Sequence, residues 1–212
     1  MKPILFNTEM TKAILDGRKT VTRRNPFQFV MKDGYNPNYS GYSLGEYFTG
    51  HIKTGVCLYS RGAHDVWGVR SNVVKPKYQV GDVPYVRETW CDRWLPDGFL
   101  EGKNRYGYKA DGEPTFGYWG NEKQCKDNVW IPSIHMPKEA ARIFLKVTGV
   151  RVERLQEMAQ EDAIKEGVES PSEEQFAELW NSTIKKQDLD TYSWDANPWV
   201  WVIEFERIEK GE

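Results

Sequence analysis

The chain has 212 residues, a formal charge of −2, 28% charged, 39% hydrophobic and 14% aromatic residues. That length carries a core able to fold without disulfide staples, and the near-neutral charge excludes a whole-surface basic field for nucleic acid. Cys57, Cys91 and Cys125, with His51, His64 and His135, are too scattered for CxxC pairing or zinc-type spacing, and no apolar run reaches the roughly 20 residues of a membrane span.

In chain order, PILF reads as a short strand. NTEMTKAILDG reads as a helix, with Asn7 or Thr8 as N-cap, Met10, Ala13 and Ile14 on one face, and Gly17 as C-cap. RKTVTRR is expected to be extended, because Thr and Val favour strands. From about 25 to 79 the periodicity fades into Gly, Tyr, Asn and Ser, predicting a loop-bearing insertion with room for a hairpin or two.

VGDVPYVRETW restores a strand, entered through the Gly81–Asp82 turn, with Pro84 favouring an edge or strand-start position. A second irregular insertion is expected from about 91 to 136. ARIFLKVTGVRVERL is a strand with Ile143, Leu145 and Val147 on one face, and Gly149 marks a candidate bulge. MAQEDAIKEGV is a short helix stopped by Gly167. SEEQFAELWNSTI is a second, with Ser172 and Gln175 forming a capping box and Phe176, Leu179, Trp180 and Ile184 on one face. PWVWVIEFERI alternates Trp199, Trp201, Ile203 and Phe205 with Val200, Val202, Glu204 and Glu206, predicting a half-buried final strand.

These elements predict an α+β fold: one domain over 1–212, a small barrel with helices on its flank and two loop-rich insertions. No P-loop, dinucleotide turn, HExxH or GxSxG is present. The polar residues instead gather in three segments. GRKTVTRR offers Arg18, Lys19, Thr20, Thr22, Arg23 and Arg24, either as an exposed basic edge strand or as an anion clamp with a hydroxyl nucleophile.

A lysine with an ordinary pKa is neutral in roughly one molecule in 2,500 at pH 7, so Lys19 can act as a base only if burial or neighbouring cations lower it. On one regular strand Lys19 and Thr22 would point to opposite faces, so their convergence requires Lys19 on the turn before the strand. VPYVRETW offers Tyr85, Arg87, Glu88 and Trp90, as a strand with a surface pair or as the lining of a base-binding pocket. QEDAIKEGV places Glu161, Asp162 and Glu166 on a short helix. Glu166 at its C-terminal end opposes the helix dipole, which favours a role outside the helix, such as pairing with Lys19 or serving as a proton donor.

The segments ILDGRKTVTRR, VGDVPYVRETW, FLKVTGVRVERLQEMAQEDAIKEGV and WVWVIEFERI, in this order, resemble the ASCH family, whose fold is similar to the PUA RNA-binding domain. The long form is similar to phage and prophage members, and the two Gly- and Tyr-rich stretches lie outside the match. The resemblance implies a small PUA-like β-barrel. It also implies the activity of the small bacterial amidohydrolases of the family, which convert N(4)-acetylcytidine to cytidine and acetate with a Lys, a Thr and a Glu.

Lys19 and Thr22 stand at the family spacing, Arg24 falls on the family arginine, and Glu166 falls near the family glutamate. Arg18, Thr20, Arg23, Arg24, Tyr85, Arg87, Glu88 and Trp90 are the expected substrate-binding residues. No metal or cofactor is expected, and the expected location, from the dispersed cysteines and the ordinary start MKPILFNTEM, is the cytoplasm. The chain departs from the small enzymes in being about twice as long and in carrying Arg23. The alternative is a non-catalytic binder of RNA, single-stranded DNA or a modified nucleotide. A metal-dependent nuclease is a third reading, which requires Asp82, Glu88 and Glu166 to gather.

Overall fold

The computed structural model describes residues 1–25, 42–49, 52–60, 64–65, 68–69, 73–92, 106–112, 130–168 and 172–209. It is an α+β structure. A five-stranded sheet has the order β1-β8-β11-β12-β2, formed by β1 (Pro3–Leu5), β8 (Tyr85–Arg87), β11 (Phe144–Arg154), β12 (Trp199–Ile208) and β2 (Val21–Arg24). β1 runs parallel to β8, while the β8–β11 and β12–β2 pairs are antiparallel. Among the described residues no helix is long and apolar enough to cross a membrane.

The chain divides into two compact units. The first comprises Met1–Arg18, Val83–Lys146 and Arg207–Glu212, and the second Lys19–Asp82 and Val147–Glu206. In the first, α1 (Thr8–Leu15) starts at Asn7, whose side chain accepts from the Met10 N–H. The helix ends at Asp16, and Gly17 follows with φ +75°, a conformation glycine adopts without strain. Tyr85, Trp90, Tyr108, Met136, Ala140, Ala141 and Phe144 form this unit's aromatic core. The short pair β9 (Trp90–Asp92) and β10 (Tyr106–Tyr108) contributes two of its rings. Much of the second predicted insertion, 93–105 and 113–129, lies outside the described residues.

In the second unit, the first predicted insertion carries the hairpins for which its sequence left room. β3 (Tyr42–Thr49) and β4 (Ile52–Ser60) form an antiparallel hairpin with a register shift at Tyr47/Phe48. β7 (Val73–Val74) pairs on β4, and β5 (His64–Asp65) pairs with β6 (Gly68–Val69). The pairing comes from β-branched and aromatic residues whose pattern the interspersed glycines obscure.

Helices α2 (Gln160–Lys165), α3 (Glu173–Ser182) and the short α4 (Leu189–Tyr192) belong to the same unit. Phe176 and Trp180 of α3 pack with Val21, Leu155, Trp194, Val200 and Val202, with Ile184 at the margin. Ser172 caps α3 by accepting from the Gln175 N–H at 3.1 Å. A Ser172→Ala chain should lose about 1 kcal/mol of stability, read as a lower midpoint in chemical denaturation.

β12 departs from the expected half-buried strand. Val200, Trp201, Val202 and Ile203 are all buried, so the alternation separates two covered faces instead of a wet and a dry one. Only toward Glu204 and Glu206 does the pattern open to solvent. On β11, Gly149 lies inside one unbroken strand assignment. A Cβ there would lie 2.5 Å from Glu204 Oε2, the end of a flexible side chain that would have to shift.

Candidate functional site

β2 is the last strand of its sheet, so every second backbone group on it faces away from β12. Phe205 N–H donates to the Thr20 carbonyl, and Thr22 pairs with Ile203, which sets Thr20 and Thr22 toward the ladder and leaves Val21 and Arg23 outward. Two side chains close that outward edge. Lys19 Nζ donates to the Val21 carbonyl at 2.8 Å, and the Arg23 N–H donates to Glu166 Oε1 at 2.7 Å. Lys19 lies between the Asp16–Gly17 turn and β2, outside the strand.

Lys19 and Glu166 meet directly. Nζ donates to Glu166 Oε2 at 2.5 Å and to the Glu166 carbonyl at 2.8 Å, and the two side chains are 1% and 7% exposed. Glu166 reaches Lys19 because α2 ends there: Glu166 is the C-cap, and Gly167 at φ +87° turns the chain away. The Thr20 N–H donates to the Lys165 carbonyl at 2.9 Å, which ties the end of α2 to the start of β2. Burial holds the Lys19 pKa below its usual 10.5; Glu166 opposes this, and Arg24 and Arg23 reinforce it. Among the described residues Nζ thus donates to three acceptors, as the three N–H bonds of an ammonium group allow. The free amine has two, so one of these bonds is given up when Lys19 loses its proton.

Thr22 is buried, and its hydroxyl has no hydrogen-bond partner among the described residues. Arg24, at the end of β2, has its pKa lowered by burial against the opposing pull of Glu166 and Tyr78. Burial also pushes the Tyr78 phenol up to about 12, with Arg24 pulling the other way. Thr20 is exposed. Arg18, in the first unit, is exposed and pairs with Asp16 at 3.0 Å.

Arg23 is not a solvent-facing clamp. Its side chain is 1% exposed, and its guanidinium bonds Glu166, Glu153 and Asp162. Carboxylates of β11 and α2 compete for it because those elements bring acidic residues against β2. Burial works against its charge, but Glu166 and Glu153 outweigh this and hold its pKa raised. Sequence reasoning missed Glu153 and Arg151 as partners in this cluster. The available signal was the alternation in VRVER, which puts Arg151 and Glu153 on one strand face opposite Val150 and Val152.

Tyr85, Arg87, Glu88 and Trp90 belong to the first unit. Tyr85 and Trp90 are core residues, with Trp90 edge-on to Tyr106 at 5.6 Å. Arg87 Nη1 donates to the Ile134 carbonyl at 3.1 Å. Glu88 is 1% exposed and is gripped by Arg142 through Nε at 2.9 Å and Nη2 at 3.0 Å, so its partner is not Arg87. Arg142 also bonds Asp111 at 2.8 Å and lies over the Tyr108 ring at 3.9 Å. Nothing in the local sequence marks Arg142, a single cation before an apolar strand.

Asp82 accepts from the Gln79 N–H within its turn, while Glu88 and Glu166 each hold cations. Among the described residues no three His, Cys, Asp or Glu side chains form a group able to hold a metal ion. Comparisons with protein-family models, curated proteins and solved structures found no match to this chain.

Proposed function

We propose that this chain is an ASCH-type amidohydrolase with a PUA-like barrel, removing an acyl group from the exocyclic amine of a modified cytosine nucleoside or related base. The observation that carries the reading is the buried Lys19–Glu166 pair beside a strand whose Thr22 hydroxyl has no partner among the described residues. Such a hydroxyl is a poor nucleophile until a base takes its proton, and a buried lysine with a lowered pKa is a suitable base.

In this scheme the free amine of Lys19 takes the proton of Thr22 or of a water. The resulting oxygen attacks the acyl carbonyl carbon, and Arg24 or nearby backbone N–H groups steady the oxyanion. The bond from that carbon to the exocyclic nitrogen breaks as the nitrogen takes the proton back from Lys19. Glu166 orients Lys19 throughout. Where Thr22 is the nucleophile, a water then cleaves the acyl ester, giving the free acid and restoring the hydroxyl.

The test is conversion of N(4)-acetylcytidine to cytidine, followed by chromatography for the parent and a Thr22→Ala chain. Turnover by the parent, lost in the variant, is the expected result. No turnover at high protein concentration would overturn the reading for this substrate. It would favour the non-catalytic binder, whose oligonucleotide affinity should fall steeply with salt and tolerate Thr22→Ala. The enclosure of Arg23 by three carboxylates weighs against that alternative, since it removes a cation from the basic stretch.

A further inference from the structure

Arg23 grips Glu166 twice. Its backbone N–H and its Nη1 both donate to Oε1, at 2.7 and 3.2 Å, while Lys19 holds Oε2. The rest of the guanidinium is taken by Glu153, through Nε at 3.0 Å and Nη2 at 2.6 Å, and by Asp162 at 3.0 Å. Arg151 then holds the same two carboxylates, at 3.0 Å to Glu153 and 3.1 Å to Asp162, and also pairs with Glu204. Alternating charges thus run from the half-exposed Glu204 to the buried Lys19, all within one compact unit.

We propose that Arg23 is a positioning residue: it shares the Glu166 carboxylate with Lys19 and thereby sets how readily Lys19 gives up its proton, while Arg151 adjusts that balance through Glu153 and Asp162. Its functional consequence rests on the reading of Lys19 as a base. In a buried Lys–Glu pair the carboxylate favours the charged lysine and so opposes the effect of burial. Two donors on Oε1 draw that negative charge aside, and the guanidinium repels a second cation.

Among the described residues, the charged groups that act on Lys19 include Glu166 at the end of α2 and Arg23 and Arg24 on β2. Behind Arg23 stand Asp162 and Lys165 of α2, Glu153 and Arg151 of β11, and Glu204 of β12. Loss of Arg23 frees Glu166, removes a cation and leaves Glu153 and Asp162 less compensated. All three changes favour the ammonium form. Loss of Arg151 makes Glu153 and Asp162 lean harder on Arg23, drawing it from Glu166, a weaker effect of the same sign.

The experiment is an NMR titration of the full chain with ¹³Cε-labelled lysine, the Lys19 signal being assigned by its absence in Lys19→Met. The Lys19 midpoint should rise by about 1–3 pH units in Arg23→Gln, by less in Arg151→Gln, and fall back toward the parent in Arg23→Lys. An unmoved midpoint in folded Arg23→Gln overturns the proposal. If that variant does not fold, Arg151→Gln decides, a rise supporting the proposal and no rise overturning it. The readout is independent of turnover. A moved midpoint without hydrolysis keeps the coupling and discards the hydrolase, whereas hydrolysis with an unmoved midpoint does the reverse.

Discussion

A Lys19→Met chain should hydrolyse N(4)-acetylcytidine about 10²- to 10⁴-fold more slowly than the parent, the range a positioned general base supplies. Met keeps the length and apolar stem of the side chain, so the buried volume is nearly preserved and the loss reports the missing amine. Circular dichroism of the variant separates this from unfolding.

The parent's rate should rise with pH through the Lys19 titration and level above it, because only the free amine accepts a proton. That rise begins below the usual lysine range, since burial lowers the Lys19 pKa from 10.5. A pH-independent rate across this window, or a Lys19→Met chain as fast as the parent, would remove Lys19 from the chemistry. Its role would then be to close the edge of β2, which it does through the Val21 carbonyl.

Glu166→Gln should destabilise the chain by about 3–5 kcal/mol, the cost of removing one partner from a buried ion pair. Lys19 loses its anion in that variant, whereas Arg23 keeps Glu153 and Asp162. The loss should depend on pH with a definite sign. The folded-state pKa of Lys19 lies below its unfolded value of 10.5, so between the two the unfolded chain binds more protons and stability rises with pH.

The deficit of Glu166→Gln is greatest while Lys19 is charged in both folded chains, and it shrinks as pH rises from the variant's Lys19 pKa, lowered further without the anion, toward the parent's. Guanidinium denaturation at about pH 6 and about pH 9.5 reads both the loss and its recovery. Lys19→Met combined with Glu166→Gln should recover part of the loss, because no buried cation is then left unpaired. A Glu166→Gln chain as stable as the parent at neutral pH would show that solvent reaches the pair.

The sequence by itself determined the elements whose signals are local. Asn7 and Gly17 bound α1, Ser172 opens α3, and Gly167 stops α2, because caps and left-handed turns act within a few residues. The alternation of Ile143, Leu145 and Val147 located β11 for the same reason. The helix dipole at Glu166 also marked a role for that side chain outside its own helix, and it bonds Lys19 there.

Tertiary structure alone decided what those residues touch. Glu166 stands 147 residues from Lys19, and no local pattern records that α2 ends against the open edge of β2. Arg23 reads as surface charge in GRKTVTRR until Glu153 and Asp162 arrive from β11 and α2 to enclose it. Glu88 finds Arg142, 54 residues on, rather than its neighbour Arg87. β12 looks half-buried because period-2 alternation reports which residues share a face, not whether both faces are covered. Long-range charge pairing and double-sided burial depend on which elements meet, and a charged side chain buried in its partner's company has the same letter as one in water.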